Sequence, residues 1–254
     1  MLSHSQIKLL TALQVKKYRQ KYRKFTVEGE KIAAELLAQR RITVSAVFAL
    51  ERWADANAAL LRPFLEKFNA VGEAELKKIS SLTTPNQVLV VAELPGQPFS
   101  SAALRGDYCF YLDGIQDPGN LGAILRVADW FGIPGVVCSP DSADAFSPKA
   151  VQASMGAFLR VGIWEMPLEE LLEKAPGAPV TGAVLGGESL FQTALPAGGV
   201  VVIGSEGRGV SPATEALLTH RLTIPRHPSG GAESLNAAVA AGIFAAVLRH
   251  PPAI

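Results

Sequence analysis

The sequence has no apolar run approaching the ~18 residues that cross a bilayer. Its first residues, MLSHSQIKLL, lack the apolar stretch and small-residue cleavage site of a secretory signal. No membrane association is expected. Cysteine is scarce. Cys109 and Cys138 sit in the apolar runs YCFYL and GVVCSP, cannot build a disulfide framework, and read as buried thiols of a reducing cytoplasm. The four histidines are scattered and show no zinc-ligand spacing with the cysteines, so no metal is expected. The glycine-bearing turns lack the Lys-Ser/Thr pair of a phosphate-binding Walker loop. No GxGxxG opens a helix after a strand, which excludes a dinucleotide-binding dehydrogenase. Charged residues make up only 19%, with a net charge of +1, and that balance alone implies no polyanionic partner.

What is present is ordinary globular material. With 254 residues and 48% hydrophobic content the chain can bury a real core. At ~150 residues per domain its length corresponds to roughly 1.7 domains. The charge is unevenly placed. Residues 1–41 carry ten lysines and arginines against three glutamates, a balance of +7, leaving about −6 for the remainder. A basic head on a mildly acidic body points to an anion, with nucleic acid first. Within it, KKYRQKYRKF (16–25) interleaves Lys16, Lys17, Arg19, Lys21, Arg23 and Lys24 with Tyr18, Tyr22 and Phe25. The cations suit phosphates and the rings suit unpaired bases, although Phe25 suits a core equally well.

Along the chain, 4–18 reads as one amphipathic helix and 28–37 as a second. Strands are expected at 43–50 and 87–94, with helices at 53–60 and 72–79 between them. PGQPFSSAALRGD (95–107) is a linker, so domains are expected at 1–98 and 106–254. Beyond it, continuous apolar runs at 108–114, 135–139, 180–186, 200–205 and 221–225 alternate with helix-length segments at 119–132, 147–155, 167–174, 211–219 and 232–249. Buried strands alternating with helices predict a parallel α/β sheet covered on both faces.

Ligands of such sheets sit beyond the carboxyl ends of strands. Three turns stand out there. In DGIQDPGNLGAILRVADWFG (113–132), Asn120 can cap a helix whose buried stripe leaves Arg126 outside. Arg126 could equally be the exposed i, i+3 partner of Asp129. In VVVIGSEGRGV (200–210), Gly204, Gly207 and Gly209 permit close backbone approach, with Glu206 and Arg208 in the same loop. In LTIPRHPSGGAESLNAAVAAGIFAAVLRH (222–250), Ile224-Pro225 ends a strand. Glu233-Ser234-Leu235-Asn236 then opens an alanine-rich helix that stops at His250-Pro251-Pro252. Ser234 and Asn236 could be caps only.

In this order and spacing the three segments resemble the SpoU (TrmH-type) RNA ribose 2′-O-methyltransferases of the SPOUT superfamily, over about 145 residues. KYRKFTVEGEKIAAELL resembles the start of that family's L30e-like substrate-binding domain. The resemblance implies a C-terminal α/β domain with a deep trefoil knot behind a smaller α/β L30e-like domain. It implies S-adenosylmethionine as cofactor, a homodimer, and RNA as substrate, ribosomal (23S-type) ahead of tRNA. A catalytically inactive ribosome-associated RNA-binding protein is the contrasting alternative.

Matched position by position, Asn120, Arg126, Glu206, Ser234 and Asn236 take the family's catalytic places. Gly204, Ile224 and Leu235, with Gly207, Gly209 and Pro225 beside them, take the cofactor's. Arg126 would be the base or the alkoxide stabiliser, a difficult role because guanidinium normally stays protonated. Asn120 would orient the ribose or Arg126, and Glu206 and Asn236 would organise the site. Ser234 would bond the nucleotide or the cofactor. The chain departs from the family at Asp117, where many relatives have Asn, at Asn-Ala-Ala-Val (236–239) for Asn-Val-Ser-Val, and at Arg226-His227-Pro228, which replaces a short Met/Gly loop.

Overall fold

Strands that are apolar at every position need cover on both faces, which favours a parallel sheet with helices on each side. Tyr108–Asp113 is buried throughout, as are Val200–Ile203 and Gly135–Cys138. The computed structural model places these strands at the centre of a six-stranded parallel sheet. It describes residues 2–39, 41–96, 98–104 and 106–250. Arg40 of the basic head, Gln97 and Arg105 of the linker, and Pro251 and Pro252 after the last helix lie outside the described residues.

The elements in chain order are α1 (His4–Ala12), α2 (Lys16–Tyr22), β1 (Lys24–Glu28), α3 (Glu30–Ala38), β2 (Val44–Ala49), α4 (Glu51–Ala56), α5 (Ala58–Leu61), β3 (Phe68–Ala70), α6 (Glu73–Ile79) and β4 (Val88–Glu93). There follow β5 (Tyr108–Asp113), α7 (Pro118–Trp130), β6 (Gly135–Cys138), α8 (Pro148–Ser154), β7 (Gly162–Glu165), α9 (Leu168–Lys174), β8 (Val180–Ser189), β9 (Gly199–Gly204), α10 (Pro212–Glu215), β10 (His220–Thr223) and α11 (Ala237–Arg249). They form two units: Met1–Gln97 with Phe146–Leu159, and Pro98–Ala145 with Arg160–Ile254. The helix at 148–154, expected to cover the C-terminal sheet, therefore groups with the N-terminal unit. Phe25 gives the reason: it is fully buried with its ring 4.9 Å from Phe146 and 5.7 Å from Phe158.

In the first unit the sheet order is β1-β4-β2-β3, antiparallel except for β2 with β3. On one face Phe48, Leu89 and Val91 pack with Leu10 and Leu13 near α1 and Leu76 and Ile79 of α6. The single helix expected over 4–18 is two helices. The chain turns at Leu13–Val15, where Val15 is extended (φ −105°, ψ 131°) and the buried Arg19 donates from Nη1 to the Leu13 carbonyl at 2.7 Å. Strands β1, β3 and β7 were not expected from the sequence.

In the second unit the order is β10-β8-β9-β5-β6-β7. Tyr111, Val137, Val200 and Val202 form one buried face under Leu168 and Leu171 of α9. Alternate residues such as Phe110, Val201 and Ile203 are buried on the other side, where α11 packs on β9 and α7 on β6. The connection from β5 leads to β6 on one side, and that from β9 leads the other way, to β10 at the opposite edge. Adjacent parallel strands whose loops diverge leave a crevice at their carboxyl ends. That crevice holds the first two of the three turns.

Candidate active site

The first turn is built around a proline. Pro118 occupies the first position of α7, where its missing N–H costs nothing. The N-cap is therefore Asp117, whose Oδ1 accepts from the Gly119 amide at 2.7 Å. This corrects the expected cap at Asn120. Asn120 lies in the first turn with its side chain uncommitted to capping. Its Nδ2 donates to Glu206 Oε1, and its Oδ1 accepts from Asn236 Nδ2 at 2.9 Å. Asn236 does cap: its Oδ1 accepts from the amides of Ala238 (2.9 Å) and Val239 (3.3 Å) at the start of α11. Helix α11 thus begins after Asn236, and residues 232–235 precede it as non-helical chain. One side chain from each motif meets in a line, Glu206–Asn120–Asn236.

The second turn folds back on itself. Ser205 and Gly209 exchange backbone hydrogen bonds of 3.0 and 2.8 Å, and Gly209 has φ +68°. A Cβ on Gly204 would stand 2.3 Å from the Gly209 carbonyl carbon, so no side chain fits there. Asp113, buried at the end of β5, fixes the far end of the loop: its Oδ2 accepts from the Ser211 amide at 2.6 Å. Asp113 was not among the expected site residues. An Asp ending a buried strand directly before a glycine was the available signal.

A cavity of about 1040 Å³ opens against this loop. Gly204, Gly207 and Gly209 line it together with Ile224, Pro225 and Leu235. Glu206, Ser234, Arg208, Arg226 and His227 line it as well, so the departure at 226–228 forms part of its wall. Its size suits a ligand larger than a nucleoside, and its glycine backbone and apolar side chains, with charged groups beside them, suit a ligand that has both a flat apolar ring and charged ends. The expected cofactor positions are all brought together here. Asn120 and Asn236 stand beside the cavity through their bonds to each other and to Glu206, without lining it.

Arg126 is placed elsewhere. It is exposed on α7, is absent from the cavity wall, and its side chain makes no hydrogen bond or ion pair with another described residue. The expected alternative, a pair with Asp129, is not formed: Asp129 takes Nε and Nη2 of Arg160 in a two-pronged bond, both at 2.8 Å. One turn beyond Arg126 on α7, Trp130 is 84% exposed, while Val127 between them in the chain is half-buried.

Of the expected RNA-binding residues, Arg19 is buried and serves the corner between α1 and α2, so it is no phosphate ligand. Lys16, Lys17 and Lys21 lie on α2, Arg23 caps that helix in the left-handed region, and Lys24 opens β1. Neither thiol is poised for chemistry: burial, and to a smaller degree the nearby Cys138, push Cys109 up to about 12. Burial likewise raises the Tyr111 phenol, helped by the Asp113 carboxylate. Among the described residues no group of three His, Cys, Asp or Glu could hold a metal ion, and no helix is long and apolar enough to cross a membrane.

Comparison with known proteins agrees with this arrangement. Residues 107–246 match the SpoU rRNA Methylase family, and residues 4–90 match the MRM3-like substrate binding domain. The chain is 31% identical over 244 residues to the 23S rRNA (guanosine(2553)-2′-O)-methyltransferase RlmP of Bacillus subtilis, covering 93% of each protein. A putative RNA methyltransferase of the TrmH family from Porphyromonas gingivalis superposes with a TM-score of 0.85 at 40% identity, over 99% of this chain and 100% of that one. An AdoMet-bound rRNA methyltransferase from Sinorhizobium meliloti superposes with a TM-score of 0.84 at 26% identity, over 100% and 98%. The sheet, the three converging motifs and these likenesses agree: the chain belongs to the SpoU rRNA methylase family.

Proposed function

We propose that the protein methylates a ribose 2′-hydroxyl in ribosomal RNA of the 23S type, using S-adenosylmethionine bound in the cavity between the Gly204–Gly209 loop and the Ile224–Leu235 segment. The convergence of Asn120, Glu206 and Asn236 beside that cavity carries the proposal. The backbone at Gly204, Ile224 and Leu235 holds the cofactor, close to Gly207, Gly209 and Pro225. The absence of room for a side chain at Gly204 lets the loop close on its own backbone at Gly209 and Val210. The cofactor supplies a methyl group on a sulfonium, already a good leaving group. What remains for the protein is to align the ribose oxygen and loosen its proton, and positioning of this kind can contribute ~7–11 kcal/mol.

Glu206 fixes the amide of Asn120, Asn236 fixes its carbonyl, and Asn120 then orients the ribose. Ser234, on the cavity wall, bonds the nucleotide or the cofactor. Arg126 serves as base or alkoxide stabiliser. Because it projects from the exposed stripe of α7 outside its own chain's cavity, it acts across a homodimer in which that stripe is covered. Gly242 of α11 lies beside Val127, its Cβ position 3.9 Å from Val127 Cγ2, and Val239 of the same helix is half exposed. Trp130 and Val239, on the two packed helices α7 and α11, thus offer an apolar surface for a second copy, whereas Val127 is half-buried against α11. Ala241 and Ala245, in contrast, are buried within the chain. Trp130→Glu should convert a dimer into a monomer by light scattering.

The N-terminal unit, residues 1–97 with 146–159, holds the RNA through Lys16, Lys17, Lys21, Arg23 and Lys24, and the C-terminal unit carries the chemistry in a trefoil-knotted fold, in the cytoplasm. Mapping ribose 2′-O-methylation on rRNA and tRNA with and without the gene tests the proposal. One methyl lost from 23S rRNA is expected. An unchanged rRNA pattern refutes the assignment, and a loss confined to tRNA moves the substrate.

A further inference from the structure

Helix α2 offers a surface that the methyl-transfer chemistry does not use. Its sequence, KKYRQKY, holds four cations and no acid. Tyr18 and Tyr22, one turn apart, are 37% and 41% exposed, whereas Tyr108, Tyr111 and Phe25 are buried. Their rings are nearly parallel (17°), with centroids 6.3 Å apart. That distance lies at the long end of the aromatic-pair range, so the two rings leave much of each other's faces uncovered. Lys21 Nζ lies 5.5 Å from the Tyr22 ring centroid. The helix is held at both ends, by the Arg19 bond to the Leu13 carbonyl and by the left-handed Arg23, so the two rings stand on a fixed element.

We propose that the Tyr18–Tyr22 face of α2 is a stacking platform for unpaired bases of the RNA substrate, with Lys17 and Lys21 neutralising the flanking phosphates. This rests on the RNA reading above and adds which part of the RNA is held. Bases in an A-form duplex are stacked on their neighbours and cannot lie on a protein ring, whereas loops and single strands can splay theirs out. Flat faces beside cations suit such a strand, and stacking accepts any base because each has a π-face. A ring pair that served only the helix surface would have no preference between single strands and duplexes.

The test uses the full-length protein with fluorescein-labelled oligo(A) and an RNA duplex of equal length, read by anisotropy across a KCl series. The single strand should bind more tightly. The double variant Tyr18→Leu/Tyr22→Leu should weaken oligo(A) by about tenfold or more with an unchanged salt slope, because stacking releases no counterions. Tyr18→Phe/Tyr22→Phe should bind like the parent, since the ring is what stacks. Lys17→Gln/Lys21→Gln should flatten the salt slope. Melting temperature and S-adenosylmethionine binding, measured by calorimetry, should be unchanged in all three, which separates failure of the platform from failure of the enzymatic reading. Wild-type oligo(A) affinity in the folded Leu variant, or an equal loss on the duplex, overturns the proposal.

Discussion

Asn236 does two jobs that substitution can separate. Its Oδ1 caps α11 through the amides of Ala238 and Val239, and its Nδ2 donates to Asn120 Oδ1. Removing both with Asn236→Ala costs the cap, about 1 kcal/mol, and an exposed hydrogen bond at the low end of ~0.5–1.5 kcal/mol. In a unit of this size ~1 kcal/mol moves the midpoint by about 2–4 °C, so a fall of roughly 3–8 °C is expected. Asn236→Asp keeps the cap, since Asp is as good an N-cap as Asn, and sets a negative charge at the positive end of the helix. Its melting temperature should match or exceed the parent's. It cannot donate, however, so acceptor faces acceptor at Asn120 Oδ1. Asn120 must then turn its amide away from Glu206 to satisfy the new carboxylate. A hydrogen bond to a charged group is worth ~1.5–3 kcal/mol, so kcat should fall about 10- to 150-fold if Asn120 works only while held by Glu206. Circular dichroism melts and a single-turnover methylation assay read the two effects separately. An Asp variant that is stable and turns over like the parent would refute the role given to the Glu206–Asn120–Asn236 line.

Three further outcomes are expected. Arg126→Ala should abolish methyl transfer while leaving the melt and cofactor affinity intact, and Arg126→Lys should rescue poorly for want of the planar fork. By contrast, Asp129→Ala loses only the exposed Arg160 pair, ~0.2–1 kcal/mol, and should keep its turnover; equal losses in both would make Arg126 structural. S-adenosylmethionine at a hundredfold excess over Kd should stabilise the protein by ~2.7 kcal/mol in a thermal-shift assay. Gly204→Ala should abolish that shift, because its Cβ would stand 2.3 Å from the Gly209 carbonyl carbon. With its folded-state pKa raised to about 12, Cys109 stays a thiol in the native protein. It should resist iodoacetamide at mildly alkaline pH, as followed by mass spectrometry. Stability should fall as pH rises from the ordinary thiol range towards 12, because the unfolded chain ionises first. Rapid labelling of the folded protein would contradict its burial.

How much of this was legible in the sequence depended on how local the deciding interaction is. The central strands were, since YCFYL and VVVIG can only be buried. Strand β1 was not: KFTVE sits inside a basic cluster that reads as surface, and its Phe25 is covered by Phe146 and Phe158, more than a hundred residues away in the chain. The same long-range contact moved α8 into the other unit. Asp129 looked like a partner for Arg126 because helical spacing is visible locally, while Arg160, thirty-one residues on, is not. Arg19 looked like its neighbouring lysines because charge is visible and burial is not.

The reassigned cap at the first motif is different, because the signal for it was present. Two residues competed, Asp117 and Asn120, and both types favour N-caps. Pro118 favours Asp117, because its fixed backbone angle suits the first helical position. Proline is tolerated at the first helical position and excluded from the interior, where its ring collides with the preceding turn. With Asn120 as cap, Pro118 and Gly119 would lie outside the helix and the Asn120 oxygen would be bound to backbone amides. With Asp117 as cap the helix starts one turn earlier, and the whole Asn120 amide, donor and acceptor, is left for other partners. Glu206 and Asn236 take them. The proline thus fixes the helix start and, through it, releases the one side chain that joins the three motifs. On the same logic Asp117→Ala removes the cap and invites Asn120 back to the amides, at the expense of its bonds to Glu206 and Asn236. Methylation should therefore fall further in Asp117→Ala than its change in melting temperature accounts for. A loss of activity no greater than that of an equally destabilised variant elsewhere in α7 would show that Asn120 was never in competition.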